Sequence, residues 1–213
     1  MLLDISHLQQ KIKGVLHIGA YIGEEIVIYK NLGIKNIIFF EPVYYTYTIL
    51  KRNVENIAKT YNVALGNFNG QTDIFVSVTP GGIIQGSGAS SSILKPKKHL
   101  EQYPNITFPY VEKIEVRKLD DFIIEEQINI KDYNMINIDV QGYELEVFKG
   151  AKIALNHIDY IVTEVNRDEV YEKCAQVDEI DLFLEQYSIM RTRTIWAGDI
   201  WGDALYEKFY NTI

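Results

Sequence analysis

A short apolar run breaks into a glycine turn near the start of the chain: Lys13-Gly14-Val15-Leu16-His17-Ile18-Gly19-Ala20-Tyr21-Ile22-Gly23. A second apolar run, Ile37-Ile38-Phe39-Phe40, ends in Glu41-Pro42. A buried strand, a tight turn, a helix and a second strand closing on one carboxylate leave few options. Strands separated by helices pair in parallel, and their carboxyl ends then share one edge. That edge brings two backbone amides and an acidic acceptor together. The arrangement suits a nucleoside, with close backbone approach on one side and ribose hydroxyls held on the other.

The pattern continues along the chain. Residues 15–18 read as a strand, 23–33 as a helix stopped by Gly33, and 36–41 as the second strand. Residues 44–56 carry helical spacing through Tyr47, Leu50 and Val54, and 61–64 read as the third strand. The middle is less regular. Residues 71–78 alternate as a strand that Pro80-Gly81-Gly82 ends, and Gly86-Ser87-Gly88-Ala89-Ser90-Ser91-Ser92 reads as a flexible polar loop. Lys95-Pro96-Lys97-Lys98-His99 adds a small basic patch, and a short strand is expected at 114–116. Winding resumes with a strand over 135–140 that ends in Asp139-Val140-Gln141-Gly142, then a helix over 143–155 interrupted or capped near Gly150. A strand over 160–165 ends near Glu164-Val165-Asn166, and 177–187 is helical through Ile180, Phe183 and Leu184. Residues 189–195 and 204–210 are expected to form an antiparallel pair. No repeat or linker interrupts this order. The expected class is α/β, Rossmann-like, with a mostly parallel central sheet, one late antiparallel strand and one domain over residues 1–213.

Composition narrows the function. The chain has 213 residues and a formal net charge of -8, which weighs against a nucleic-acid backbone as the main partner. No apolar stretch approaches the roughly 18 residues of a membrane span. Met1-Leu2-Leu3-Asp4-Ile5-Ser6-His7 lacks the basic start and long apolar core of a secretory signal, so a cytoplasmic location is expected. The single cysteine, Cys174, excludes an intrachain disulfide and is compatible with a reducing compartment.

Gly19 and Gly23 are spaced G-x-x-x-G, which is not the G-x-G-x-x-G fingerprint of dinucleotide sites. The missing glycine is the one that lets a pyrophosphate approach the backbone. A nucleoside without a diphosphate fits better, and S-adenosylmethionine is such a ligand. Glu41 would accept from its two ribose hydroxyls, and an apolar residue of Asn62-Val63-Ala64-Leu65-Gly66 would cover one face of adenine. The same glycine spacing also suits a plain strand-to-helix turn, and His17 also suits a packed core position. A nicotinamide oxidoreductase is disfavoured by the missing glycine.

These residues resemble the FkbM-type S-adenosylmethionine-dependent methyltransferases. The likeness runs through 15–23, Phe40-Glu41-Pro42, 62–66, Ser90-Ser91-Ser92 and 116–122. Its most specific part is Asn137-Ile138-Asp139-Val140-Gln141-Gly142-Tyr143-Glu144, with 145–151 behind it. Thr163-Glu164-Val165-Asn166 and Trp201-Gly202-Asp203-Ala204-Leu205-Tyr206 extend it. The resemblance implies a class I methyltransferase sheet and cofactor contacts at His17, Gly19, Ala20, Gly23, Glu41, Pro42, Val63, Ala64, Ser91 and Asp139. It implies methylation of a hydroxyl on a saccharide, glycolipid or small metabolite. His17 departs from the Asp common at that place in the family.

Hydroxyl methylation needs alignment of the acceptor oxygen and a path for its proton. Asp139 is the first candidate base, with Glu164 and Asn166 completing an oxygen-rich acceptor site that could also ligate Mg²⁺ or Ca²⁺. Asp139 also suits a helix cap or a site wall, and Glu144 suits a helix N-terminus in any case. Ser90, Ser91 and Ser92 suit either the cofactor carboxylate or a surface loop. Trp196, Trp201 and Tyr206 suit an aromatic wall for a sugar ring or plain strand packing. Cys174 reads as a packed small residue, and His7, His99 and His157 show no metal-ligand spacing. Methyl transfer to nitrogen or to a protein, and an adenosine-binding module without catalysis, are the alternatives.

Overall fold

The computed structural model describes residues 3–80 and 88–210. Met1-Leu2, the Gly81-Gly82 stop and the Gly86-Ser87 part of the polar loop lie outside the described residues. Five parallel strands carry the fold: β1 (Gly14–Ile18), β2 (Asn36–Phe40), β3 (Lys59–Tyr61), β7 (Met135–Ile138) and β8 (Tyr160–Asn166). β9 (Ile189–Ala197) and β10 (Trp201–Lys208) close one side, giving the order β3-β2-β1-β7-β8-β10-β9. β10 runs antiparallel to both of its neighbours. The expected sheet and its late antiparallel strand are therefore present.

The central strands are apolar on both faces because both faces are covered. Leu16, Ile18, Ile38, Phe40, Ile136 and Ile138 pack on one side. Val15, Ile37, Phe39, Met135, Val162 and Leu205 pack on the other. Helices α1 (Ile26–Asn31), α2 (Tyr44–Asn53), α3 (Lys98–Gln102), α4 (Leu119–Glu125), α5 (Glu144–Lys149) and α6 (Val177–Glu185) connect the strands. α1 is shorter than the expected 23–33 because Gly23 has φ +77° and closes a turn onto the Ala20 carbonyl at 2.8 Å. Gly33 stops it as expected, also with φ +77°. α5 ends at Gly150, and a 3-10 turn over Ala154–His157 replaces the rest of the expected helix.

The expected strand at 61–64 is in fact two strands in two sheets. β3 stops at Tyr61, and β4 (Ala64–Leu65) joins β6 (Thr107–Arg117) and β5 (Gly70–Val78) in a second sheet, ordered β4-β6-β5. Asn62 makes the break possible. Its Nδ2 donates to the carbonyls of Glu41 and Pro42, both at 2.8 Å, so its side chain holds β2 where the main chain departs. β6 is far longer than the expected 114–116, since its first half is largely exposed and carries no apolar alternation. Among the described residues no helix is long and apolar enough to cross a membrane.

Phe122 of α4 fixes the floor below the β2 end. Its ring meets Phe40 at 5.4 Å and Tyr61 at 4.8 Å, both edge to face. Phe122→Ala should lower unfolding free energy by about 3–5 kcal/mol in urea titration.

Candidate functional site

Glu41 leaves β2 at the carboxyl edge and turns into the protein. Its Oε2 accepts from Tyr21 N at 2.9 Å and its Oε1 from Val43 N at 2.8 Å. Glu41 lines an open cleft, and each of its oxygens can accept one more hydrogen bond. Burial pushes the carboxyl up to about 8, against the pull of those two amides.

The β1 turn explains its glycines differently. Gly19 has φ +78°, and a Cβ there would sit 1.9 Å from the Asp139 carbonyl oxygen. The β1 and β7 ends can meet only with glycine at that position. Gly19 also lines the cleft. Gly23 does not: a Cβ there would meet Leu50 Cδ1 at 2.6 Å. Its role is to seat the turn on α2, so the structure gives the cofactor assignment of Gly23 no contact. His17 is buried at 3% exposure beneath the turn. Tyr29 Oη accepts from Asn137 Nδ2 at 2.7 Å and is hydrogen-bonded to His17 Nδ1 at 3.0 Å. Burial lowers His17 to about 4, so its imidazole is neutral.

A cluster of carboxyls forms where β7 and β8 end. Oxygens of Asp139, Glu144 and Glu164 lie within 4.8 Å of one another. Gln141, in a left-handed conformation at φ 57°, bridges them. Its Nε2 donates to Asp139 Oδ1 at 2.7 Å and Glu164 Oε2 at 3.0 Å, and Tyr171 Oη donates to its Oε1 at 2.6 Å. Glu144 Oε1 is committed to the amides of Val140 and Gly142 at 3.0 and 3.1 Å. The Gln141 amide occupies one oxygen of Asp139 and one of Glu164, which leaves the other oxygen of each for a ligand. Burial pushes Asp139 up to about 6, Glu144 up to about 7 and Glu164 well above the ordinary carboxylate range. Mutual repulsion adds to each shift. Asp139 is open to solvent through the cleft mouth, while protein surrounds its carboxyl on the remaining sides.

Three cavities meet at Asp139. The first is walled by Gly19, Glu41, Pro42, Val63, Ala64 and Ser91. Leu65, Ile93, Val140 and Tyr143 add to its apolar lining. The second lies under the β1 turn and holds His17, Ala20, Glu25, Asn137, Glu164 and Asp203. The third lies between β8, β10 and α3 and holds His99, Tyr103, Glu164, Trp201 and Asp203.

The serine run divides by function. Ser92 Oγ donates to the Gln141 carbonyl at 2.7 Å and pins the turn, whereas Ser91 faces the first cavity. Asn166 is fully buried beside the Trp201 pairing, with neither side-chain polar atom partnered, and lines none of the three cavities. Of the expected aromatic wall only Trp201 reaches a cavity. Trp196 is covered by the Arg167 guanidinium at 3.6 Å, and Tyr206 faces the opposite core, bonded to Asp181 at 2.6 Å. His99 and Tyr103 were not picked out as site residues by the sequence. Their segment reads only as a basic patch.

The methyltransferase FkbM domain family matches residues 17–188. The chain is similar to the 2-O-methyltransferase NoeI of Sinorhizobium fredii (strain NBRC 101917 / NGR234), at 33% identity over 114 residues. That match covers 54% of this chain and 46% of NoeI, so the chain spans less than half the length of this curated relative. Two solved structures share the fold. TrmK of M. capricolum, in complex with S-adenosyl-homocysteine, is 10% identical, covers 100% of this chain and 73% of its own, and has a TM-score of 0.53. Streptococcus pneumoniae Sp1610, in complex with S-adenosyl-L-methionine, is 11% identical, covers 100% and 76%, and has a TM-score of 0.51. The architecture is thus a Rossmann-like class I methyltransferase fold.

The buried carboxyls bind protons more tightly folded than unfolded. Their contribution to stability is complete at low pH and is lost as pH rises through about 6 to about 8. His17 and His99, whose imidazoles burial lowers from 6.5, act oppositely, as two groups against four. The ligand-free thermal midpoint should therefore fall between about pH 5 and about pH 8, and Glu41→Gln should flatten that fall. A midpoint that rises over this range in scanning calorimetry contradicts the assignment.

Proposed function

The chain belongs to the FkbM methyltransferase family, and on that premise we propose that it is an S-adenosylmethionine-dependent O-methyltransferase. The acceptor is a hydroxyl of a saccharide or small metabolite. The observation that carries the proposal is the position of Asp139, shared by the Glu41 cleft and the cavity beside Trp201. A donor and an acceptor can meet only where their sites share a wall.

The residues fit that donor. Glu41 has two lone pairs for a vicinal diol, and Val63, Ala64 and Tyr143 offer an apolar slot for a purine. Gly19 opens the way into the cavity under the β1 turn, where carboxyls suit the ammonium of the amino-acid arm. When bound, S-adenosylmethionine supplies a methyl group activated by a sulfonium. Asp139 Oδ1 is occupied by Gln141, which leaves Oδ2 to take the proton of an acceptor hydroxyl. With a carboxyl held at about 6, Asp139 is ionised at neutral pH yet more basic than a free aspartate. Glu164 is the second polar wall, and Gln141 fixes its distance from Asp139.

Oxygen as the accepting atom is supported by the name of the NoeI relative. The carboxylates and the Trp201 face support a hydroxylated ring. A divalent cation on Asp139, Glu144 and Glu164 is the alternative occupant of the cluster. In this reading residues 1–213 work as one methyltransferase domain in the cytoplasm, where the donor is made.

Two substitutions separate the roles. Glu41→Gln should weaken S-adenosylmethionine binding by about tenfold or more in calorimetry, through loss of a charge-assisted acceptor. Asp139→Asn should lower methyl transfer from labelled donor by about 10²–10⁴-fold while changing donor affinity far less. Donor binding without transfer to any hydroxylated fraction would instead mark a binding module.

A further inference from the structure

We infer that the cavity between β8, β10 and α3 is the acceptor subsite, and that it takes an uncharged polyhydroxylated ring and rejects phosphorylated, sulfated or carboxylated ones. The inference rests on the proposed O-methyl transfer and names the substrate class of that site.

One wall is aromatic and fixed. Trp201 Nε1 donates to Tyr103 Oη at 2.9 Å, so two rings from distant parts of the chain are tied at the cavity mouth. A ring with axial C–H bonds packs on such a face while its hydroxyls point to the rim. The opposite wall is acidic, formed by Asp139, Glu164 and Asp203.

His99 joins the two walls. It is 3% exposed and lines the cavity, and its Nδ1 has no hydrogen-bond partner. Its ring is held by Tyr103, Phe108 and Tyr171 at 5.1, 5.3 and 5.4 Å, so it cannot swing out to find one. A buried polar atom without a partner is costly, and in a cavity wall a ligand is the natural partner. Burial keeps the imidazole neutral. A hydroxyl can both donate and accept, so it satisfies either tautomer of that neutral ring.

Charge sets the selectivity. An anionic group in this cavity would lie beside three carboxyls, of which Asp139 is ionised at neutral pH and would repel it. The nearby Lys97 and Lys98 are engaged in ion pairs with Glu169 and Asp168, so their charge is already balanced. A neutral polyol meets acceptors for its hydroxyls without repulsion.

The test uses the full chain loaded with S-adenosylmethionine and a matched set of methyl hexopyranosides, their 6-phosphates and the corresponding uronates. Binding is read from fluorescence in a Trp196→Phe background, which leaves Trp201 as the reporter, and transfer from the labelled methyl. Neutral pyranosides should perturb Trp201 and bind at least about tenfold better than the anionic forms. For the best acceptor, His99→Ala should raise KM about tenfold with donor Kd unchanged, and His99→Asn should restore part of the loss. Trp201→Leu, read by transfer, should also raise acceptor KM. Equal use of anionic rings, no binding of any neutral pyranoside to donor-loaded protein, or an unaltered KM in His99→Ala overturns the inference. Failure of the donor to bind overturns the O-methyltransferase reading instead.

Discussion

Glu41, Glu144 and Glu164 share the carboxyl edge of one parallel sheet, withdrawn from water, with the exposed Asp139 among them, and this desolvation shapes everything around them. Glu41 is tolerated because two backbone amides meet it, and Glu144 because it caps the turn before α5. Asp139 and Glu164 are held apart and bridged by one amide of Gln141, itself anchored by Tyr171. The left-handed backbone at Gln141 and the serine contact from Ser92 serve that bridge. Such a group of buried acids is poor for stability alone. It becomes favourable when a cation or a set of hydroxyls enters.

A neutral layer supports the acidic one from below. His17, Tyr29 and Asn137 form a chain of hydrogen bonds on the same sheet face as Glu164. A carboxylate in place of His17 would add one more charge to the second cavity. The neutral imidazole adds no charge there, which spares the field under the β1 turn. This gives the departure at His17 a physical content: the first loop contributes shape and a neutral polar group, and the charge comes from β7, β8 and β10.

Much of this was legible in the sequence because strand order and strand ends determine it. Apolar runs closing on Glu41, Asp139 and Glu164 identify the edge, and parallel pairing brings them together. Once β10 is seen to start at Trp201 rather than at 204, odd offsets of five and three place Trp201 and Asp203 on the face opposite Tyr206. What stayed hidden depends on long-range contact. Gly23 is explained by Leu50, 27 residues away, and the split at Asn62 by the carbonyls of Glu41 and Pro42 after β2. His99 and Tyr103 sit in an irregular segment with no periodicity, and only the fold brings them to Trp201. Asn166 shares a sheet face with Glu164, but its end of β8 is covered.

If the acids await a cationic nucleoside, donor binding must discharge protons. Calorimetric titration of S-adenosylmethionine at about pH 7, repeated in buffers of different ionisation enthalpy, counts them directly. Net proton release is predicted, shrinking toward about pH 9 as the carboxyls ionise beforehand, and smaller in Glu41→Gln. Binding with no proton exchange, or with proton uptake, would contradict the role assigned to these carboxyls.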